Sequence, residues 1–309
     1  GNMPASVFFH MALPRRTLGK TGLDVSVLGF GCAPVSYLKT DADQAERVAR
    51  TFLDAGVNLV DSATVYAGNH KFIGDRLADR RDDMVLVTKV GRPGGSEADF
   101  APEKLKKQVD AALAALKTDR VDVMLIHSCD LHTLEMDEAL GALVECREAG
   151  KIVHCGYSGD NEAAAFACRL PDIAVLETSV SIADQANIDS ALAKAATHNV
   201  GVIAKRPIAN AAWRHVDERE GLYKKYAETY ADRIAHMDLD PATFDMDWPE
   251  LALRFTLAQP ITCAITGTTN PDHAQANLDL AAKGPLDDDA VARVRQAFAK
   301  ADDNWTAQM

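Results

Sequence analysis

Asp61, Tyr66, Lys89 and His127 are the side chains of this 309-residue sequence whose types and spacing amount to an acid-base device. A tyrosine titrates near ~10 and is a weak acid at neutral pH unless a nearby cation favours its phenolate. Lys89 can be that cation, Asp61 can pair with Lys89 and keep it charged, and His127 can hydrogen-bond an incoming carbonyl oxygen. Singly, each has a plainer explanation: Asp61 as a helix cap, Lys89 as a snorkelling chain, His127 as a satisfied core histidine and Tyr66 as a packed aromatic. Acting together, they require the Tyr66 hydroxyl within hydrogen-bond reach of Lys89 or His127.

Strands are the elements that would bring them together. Val57, Leu59 and Asp61 share parity, as do Val85, Val87 and Lys89, and Val123, Leu125 and His127. Strand alternation then aims the three polar ends to one side. Eight β-rich apolar runs (27–30, 57–61, 84–90, 121–127, 151–157, 173–178, 200–205 and 262–266) alternate with stretches of helical spacing. Pro102 and Pro249 open helices, Gly56 and Gly150 close them, and a last helix is expected over 288–301. Eight strand-helix units predict an α/β fold, a closed (β/α)8 TIM barrel with reacting groups at the C-terminal ends of its strands. Residues 15–26 precede the first barrel strand, and Gly19-Lys20-Thr21-Gly22 reads as the turn of an N-terminal β-hairpin that plugs the barrel floor. Residues 207–247, after strand 7, are too long for an ordinary connection and read as a long functional loop. Residues 15–309 form one expected domain; residues 1–14 read as a flexible leader, with Gly1-Asn2 ahead of Met3 as an expression remnant.

Several chemistries are disfavoured. With 33 Lys and Arg against 45 Asp and Glu, the formal net charge of -12 opposes generic binding to nucleic acid or to an anionic membrane. Neither a membrane span nor a signal peptide is visible, so a cytoplasmic protein is expected, and the sequon Asn304-Trp305-Thr306 reads as chance. The six cysteines form no Cys-x-x-Cys pair and read as reduced, buried thiols. No His-x-x-x-His spacing supports a metal site. Gly29-Phe30-Gly31-Cys32-Ala33-Pro34 starts like a dinucleotide fingerprint, but Pro34 stands where its third glycine belongs. Gly19-Lys20-Thr21 lacks the leading glycine of a phosphate loop, since Pro14 occupies that position.

Asp61-Ser62-Ala63-Thr64-Val65-Tyr66, Val87-Thr88-Lys89 and Leu125-Ile126-His127 resemble, in order, the tetrad segments of the aldo-keto reductase superfamily. Arg16-Thr17-Leu18-Gly19 through Gly29-Phe30-Gly31, Gly150-Lys151-Ile152 with Gly156-Tyr157-Ser158, and Thr266-Gly267-Thr268-Thr269 to Asn277 extend the resemblance over about residues 15–286. It implies an NAD(P)H-dependent oxidoreductase that transfers a hydride between NADP(H) and an aldehyde or ketone, with Tyr66 as general acid, Lys89 and Asp61 tuning it, and His127 orienting the carbonyl. NADP(H) is the favoured cofactor and NAD(H) the second candidate. The resemblance also implies cofactor contacts. Ser158 and Glu177 would contact the nicotinamide, Gly31, Cys32, Ala33 and Asp61 are further cofactor-binding candidates, and the segment Lys205, Arg206, Pro207, Ile208 and Asn210 would meet the pyrophosphate. Gly267, Thr269, His273 and Asn277 would hold the adenosine end.

Four departures from the family pattern bear on that cofactor. Gly159 stands where the family usually has Asn, and Glu177 replaces Gln, losing its amide donors. Lys205 replaces a stacking aromatic, and His273 occupies a position often held by Arg or Gln, with Ala276 in place of an acidic residue. These departures keep a non-catalytic or weakly catalytic NADP(H)-binding regulatory protein as the alternative. A different barrel enzyme would need a metal or phosphate site that the sequence lacks. Pro34, Tyr37, Tyr66, Arg92, Cys129 and Trp213 are candidate cleft-lining residues. They suit a small-molecule carbonyl partner without specifying it, and no apolar helix face specifies an oligomeric state.

Overall fold

Each apolar run of the sequence becomes a short parallel strand. The computed structural model describes residues 13–38, 40–94, 96–214 and 216–309, so the expected leader lies almost wholly outside the described residues. After an antiparallel pair, β1 (Arg15–Thr17) and β2 (Asp24–Ser26), come β3 (Leu28–Gly31), β4 (Leu59–Asp61), β5 (Val85–Val90), β6 (Val121–His127) and β7 (Ile152–Ser158). The series ends with β8 (Ile173–Ser179), β9 (Gly201–Lys205) and β10 (Cys263–Thr266). Strands β3 to β10 pair in sequence order, and β10 closes on β3, giving an eight-stranded parallel barrel ringed by helices. Side chains of one parity, including Leu59, Val87, Val123, Leu125, Val175, Ile203 and Ile265, fill the barrel interior, while the other parity meets the helices.

The hairpin plugs the floor, as its position before the first barrel strand requires. Leu18 and Val25 are fully buried within the interior cluster, and the turn uses positive φ at Gly19 and Gly22. A Cβ on Gly19 would lie 2.2 Å from the backbone nitrogen of Gly201, so only glycine allows this approach to the lower end of β9.

Helix boundaries follow the local chemistry. Pro102 starts the helix Pro102–Leu116, where its missing N–H costs nothing, and Asp287 caps Asp288–Ala301 by accepting from the Ala290 amide. The connection after β9 differs from the sequence expectation of a loop: it carries a helix, Gly221–Met237. Ala227, Tyr230, Ile234 and Met237 form its buried stripe at helical spacing, a pattern diluted in sequence by the charged residues between them. No described helix is long and apolar enough to cross a membrane.

Candidate active site

Parity alone brings the first three polar groups to the upper barrel interior. Lys89 Nζ donates to Asp61 Oδ1 at 2.5 Å and to the Ser62 carbonyl at 2.9 Å, and lies 3.3 Å from Glu177 Oε2. The Lys89 side chain is 1% exposed and those of Asp61 and Glu177 are 3% exposed, so the ammonium and the two carboxyl groups face one another with almost no water. Tyr66 reaches them because the segment after β4 runs along β5: the Ser62 amide donates to the Val87 carbonyl at 2.9 Å and the Thr64 amide to the Lys89 carbonyl at 3.0 Å. Lys89 Nζ then sits 5.4 Å from the centre of the Tyr66 ring. The His127 ring stands edge-on to Tyr66, with centroids 6.3 Å apart.

The four predicted groups therefore converge, with one difference from expectation. Among the described residues no hydrogen bond joins the Tyr66 hydroxyl to Lys89 or His127, because the ammonium is taken up by Asp61, Ser62 and Glu177. Burial raises the Tyr66 pKa above its ordinary value, and the opposing charge of Lys89 does not cancel that rise. Tyr66 accordingly keeps its proton at neutral pH. Burial also works against the Lys89 cation, but Asp61, Glu177 and Tyr66 outweigh it and hold the lysine above its usual range. His127 is held well below its usual value by burial and then by Lys89, Lys205 and Arg92, so its imidazole is neutral. Its Nδ1 is buried without a partner.

Candidate cofactor residues follow the rim in chain order. Gly31 ends β3; Cys32, whose amide donates to the Asp61 carbonyl at 2.9 Å, precedes the short helix beginning at Ala33. Ser158 ends β7 and lies 3.3 Å from Glu177 Oε1. Lys205 ends β9 with Nζ 2.9 Å from Oδ2 of the fully buried Asp160, and is thereby fixed. Although burial works to raise it, Lys205 and Arg206 hold the Asp160 carboxyl below its ordinary value. The Arg206 guanidinium is committed inward: it donates to Ser179 Oγ at 2.6 Å and to the Gln308 carbonyl at 2.5 Å, over the Tyr226 ring. Pro207 offers its carbonyl to Thr256, Ile208 packs against the outer core, and Asn210 adopts positive φ with its Nδ2 buried and unpartnered. Gly267 follows β10, and a Cβ there would lie 2.4 Å from the Gly31 carbonyl. The Thr269 carbonyl accepts from Gln44, His273 is exposed in the first turn of the helix Pro271–Ala282, and Asn277 is buried further along it.

The rim leaves buried polar atoms open to a ligand. His127 Nδ1, Asn210 Nδ2 and Thr266 Oγ1 are buried polar atoms without partners along one rim, as a ligand-binding edge requires. The N-terminus of Pro271–Ala282, capped by Asn270, offers backbone N–H groups to an anion. Among the described residues no group of three His, Cys, Asp or Glu is arranged to hold a metal.

The Gly159 departure has a steric cause. The Tyr157 ring fills the space an asparagine side chain would use, since a Cβ on Gly159 would lie 2.4 Å from Tyr157 Oη. That hydroxyl is itself fixed by donating to the Cys129 carbonyl at 2.6 Å. Gly159→Asn is therefore expected to destabilise the fold by about 1–3 kcal/mol through overpacking. A denaturant midpoint equal to that of the parent protein would contradict this account.

Sequence reasoning missed three parts of the site. Asp160 carried no signal, because a carboxylate after Gly159 reads as a surface turn until Lys205 and Arg206 are brought to it. Tyr223, whose ring centroid lies 5.8 Å from that of the expected cleft residue Tyr37, itself 5.6 Å from Tyr66, sits on a helix read as loop. The contact of Glu177 with Lys89 was visible only as an unusual residue at its position.

A family model described as the aldo/keto reductase family matches residues 27–299. The chain is 26% identical over 307 residues to the uncharacterised oxidoreductase YqkF of Bacillus subtilis, covering 93% of this chain and 97% of that protein. It is 26% identical over 321 residues to the aldo-keto reductase yakc (NADP(+)) of Schizosaccharomyces pombe, covering 94% of this chain and 93% of that protein. Its fold is similar to that of aldo-keto reductase AKR11C1 from Bacillus halodurans in the holo form, with TM-score 0.77, 27% identity, and coverage of 92% of this chain and 96% of that chain.

Proposed function

This chain belongs to the aldo/keto reductase family and is an NAD(P)H-dependent oxidoreductase acting on carbonyls; on that premise we propose that Tyr66 is its general acid and NADP(H) its preferred cofactor. The observation that carries the reading is the protonated Tyr66 set over the buried Lys89 ammonium, with a neutral His127 edge-on beside it. When bound, the nicotinamide supplies the hydride that reaches the carbonyl carbon. Tyr66 gives its proton to the carbonyl oxygen as negative charge develops there, and Lys89 stabilises the phenolate left behind. His127, being neutral, orients and polarises the carbonyl through a hydrogen bond without competing as an acid. Asp61 keeps Lys89 charged and fixed. Tyr37 and Tyr223 wall the approach to Tyr66. The regulator reading is not favoured, because the matching family model and the full-length relatives are reductases and oxidoreductases, although a regulator could keep the same four groups assembled.

The preference for NADP(H) rests on His273 and the helix N-terminus at Pro271, supported by the NADP(+) in the name of the fission-yeast relative. An imidazole offers less to a phosphate than the permanently charged, bidentate fork of arginine. NADPH is therefore expected to bind more tightly than NADH, and His273→Arg to widen the gap. Fluorescence titration with both cofactors, followed by cofactor oxidation over a panel of aldehydes and ketones, tests the reading. Tighter binding of NADH, or no response to His273→Arg, would remove the phosphate role. Binding without turnover across the panel would restore the regulator.

A further inference from the structure

Two carboxyl groups share one ammonium in the upper barrel. Lys89 Nζ is 2.5 Å from Asp61 Oδ1 on β4 and 3.3 Å from Glu177 Oε2 on β8, and all three side chains are buried. With both carboxyls ionised the cluster would carry a net negative charge, at a cost that burial of an uncompensated charge makes large. Among the described residues no second cation pairs with either carboxyl: Lys205 on β9 is paired with Asp160, and His127 on β6 is neutral. The remaining groups facing the cluster are Tyr66, Cys32 after β3 and Cys263 on β10, and burial raises the pKa of each of them, leaving them uncharged at neutral pH. Among the described residues Glu177 Oε2 has no hydrogen-bond partner besides its ion pair with Lys89, and Ser158 Oγ reaches Oε1 at 3.3 Å.

We propose that Asp61 and Glu177 hold a single proton between them across Lys89, and that Glu177 is thereby a positioning residue of the proton-transfer unit beneath Tyr66. One ammonium, one carboxylate and one carboxylic acid make the cluster neutral. The proton is shared because the two carboxyls compete for the same cation: the shorter contact favours ionised Asp61, whereas burial and the Glu177 carboxyl push the Asp61 pKa well above its usual range. As pH rises and the shared proton leaves, a negative charge appears beside Tyr66 and makes it a poorer acid. The inference deepens the carbonyl-reductase reading of this site and rests on it for the role of Tyr66, but the protonation itself is measurable without turnover.

Infrared difference spectroscopy of the full chain in D2O reads the carboxylic acid C=O stretch directly. At pH ~8 the other buried carboxyl with a raised value, Asp184 at about 6, is ionised and does not interfere. The parent protein is expected to show one buried acid band, and Glu177→Gln and Asp61→Asn, each folded by circular dichroism, are each expected to lose it. Either amide leaves a single carboxylate to pair with Lys89, so a shared proton has no remaining reason to stay. Absence of the band in the parent protein, or its survival in either variant, overturns the proposal. The kinetic arm compares pH profiles of carbonyl reduction: the parent should show an alkaline fall tied to the acid band, and Glu177→Gln should lack that inflection. Identical alkaline limbs would remove the positioning role. Loss of turnover in the parent protein with the band present would instead count against the reductase reading alone.

Discussion

Tyr66→Phe is expected to lower turnover by about 100-fold or more, the range attributed to a positioned general acid, while cofactor affinity hardly changes. The phenyl ring preserves the edge contacts to Tyr37 and His127, so the substitution removes one hydroxyl and leaves the aromatic wall in place. The hydroxyl makes no hydrogen bond to Lys89 or His127, and its deletion therefore strands neither of those partners. Stability should then be close to that of the parent protein, which separates a chemical defect from a structural one. Single-turnover reduction of a test aldehyde with saturating NADPH gives the comparison. An undiminished rate with cofactor still bound would discard Tyr66 as the acid and with it the four-residue proton-transfer unit.

Strand number, strand order and most strand boundaries were legible because the barrel's rules act locally. A period of two along 57–61, 85–89 and 123–127 fixes which side chains face inward, and the closed parallel barrel converts that parity into proximity. Asp61, Lys89 and His127 could thus be grouped before any coordinate was known. The helix Gly221–Met237 was not legible, since its buried stripe starts only at Ala227, after Lys224 and Lys225, and includes Arg233, whose charge gives no hint of burial. Arg233 is buried because it donates to the Ala183 and Thr306 carbonyls and faces Asp184, partners that lie far away in sequence. The commitment of Lys205 to Asp160 and of Arg206 to Gln308 was hidden for the same reason. Buried charge is read from its partners, and partners across a barrel have no fixed sequence spacing.

Lys89→Met is expected to lower both turnover and stability, with the loss of stability growing as pH rises. Methionine preserves the length of the chain but removes the only cation between Asp61 and Glu177, leaving two carboxyls in a space that is nearly closed to water. Breaking a buried ion pair from one side costs about 3–5 kcal/mol when the remaining group stays charged. Asp61 already stands well above its ordinary value through burial and the neighbouring Glu177 carboxyl, and loses in the variant the cation that opposed this rise. The folded state of the variant then binds more protons than the unfolded chain over the interval between the ordinary carboxylate value, ~4, and the raised one. Its stability is retained below that interval and falls as pH increases through it. Denaturant midpoints at pH ~5 and ~8 should accordingly diverge more for Lys89→Met than for the parent protein. In turnover, loss of the cation leaves the Tyr66 phenolate without its counter-charge and slows proton donation. Combining the substitution with Tyr66→Phe should add little further kinetic loss, because both disable one transfer unit. A destabilisation that is the same at both pH values would show that the carboxyls do not depend on Lys89, and additive kinetic losses would show that Lys89 acts apart from Tyr66.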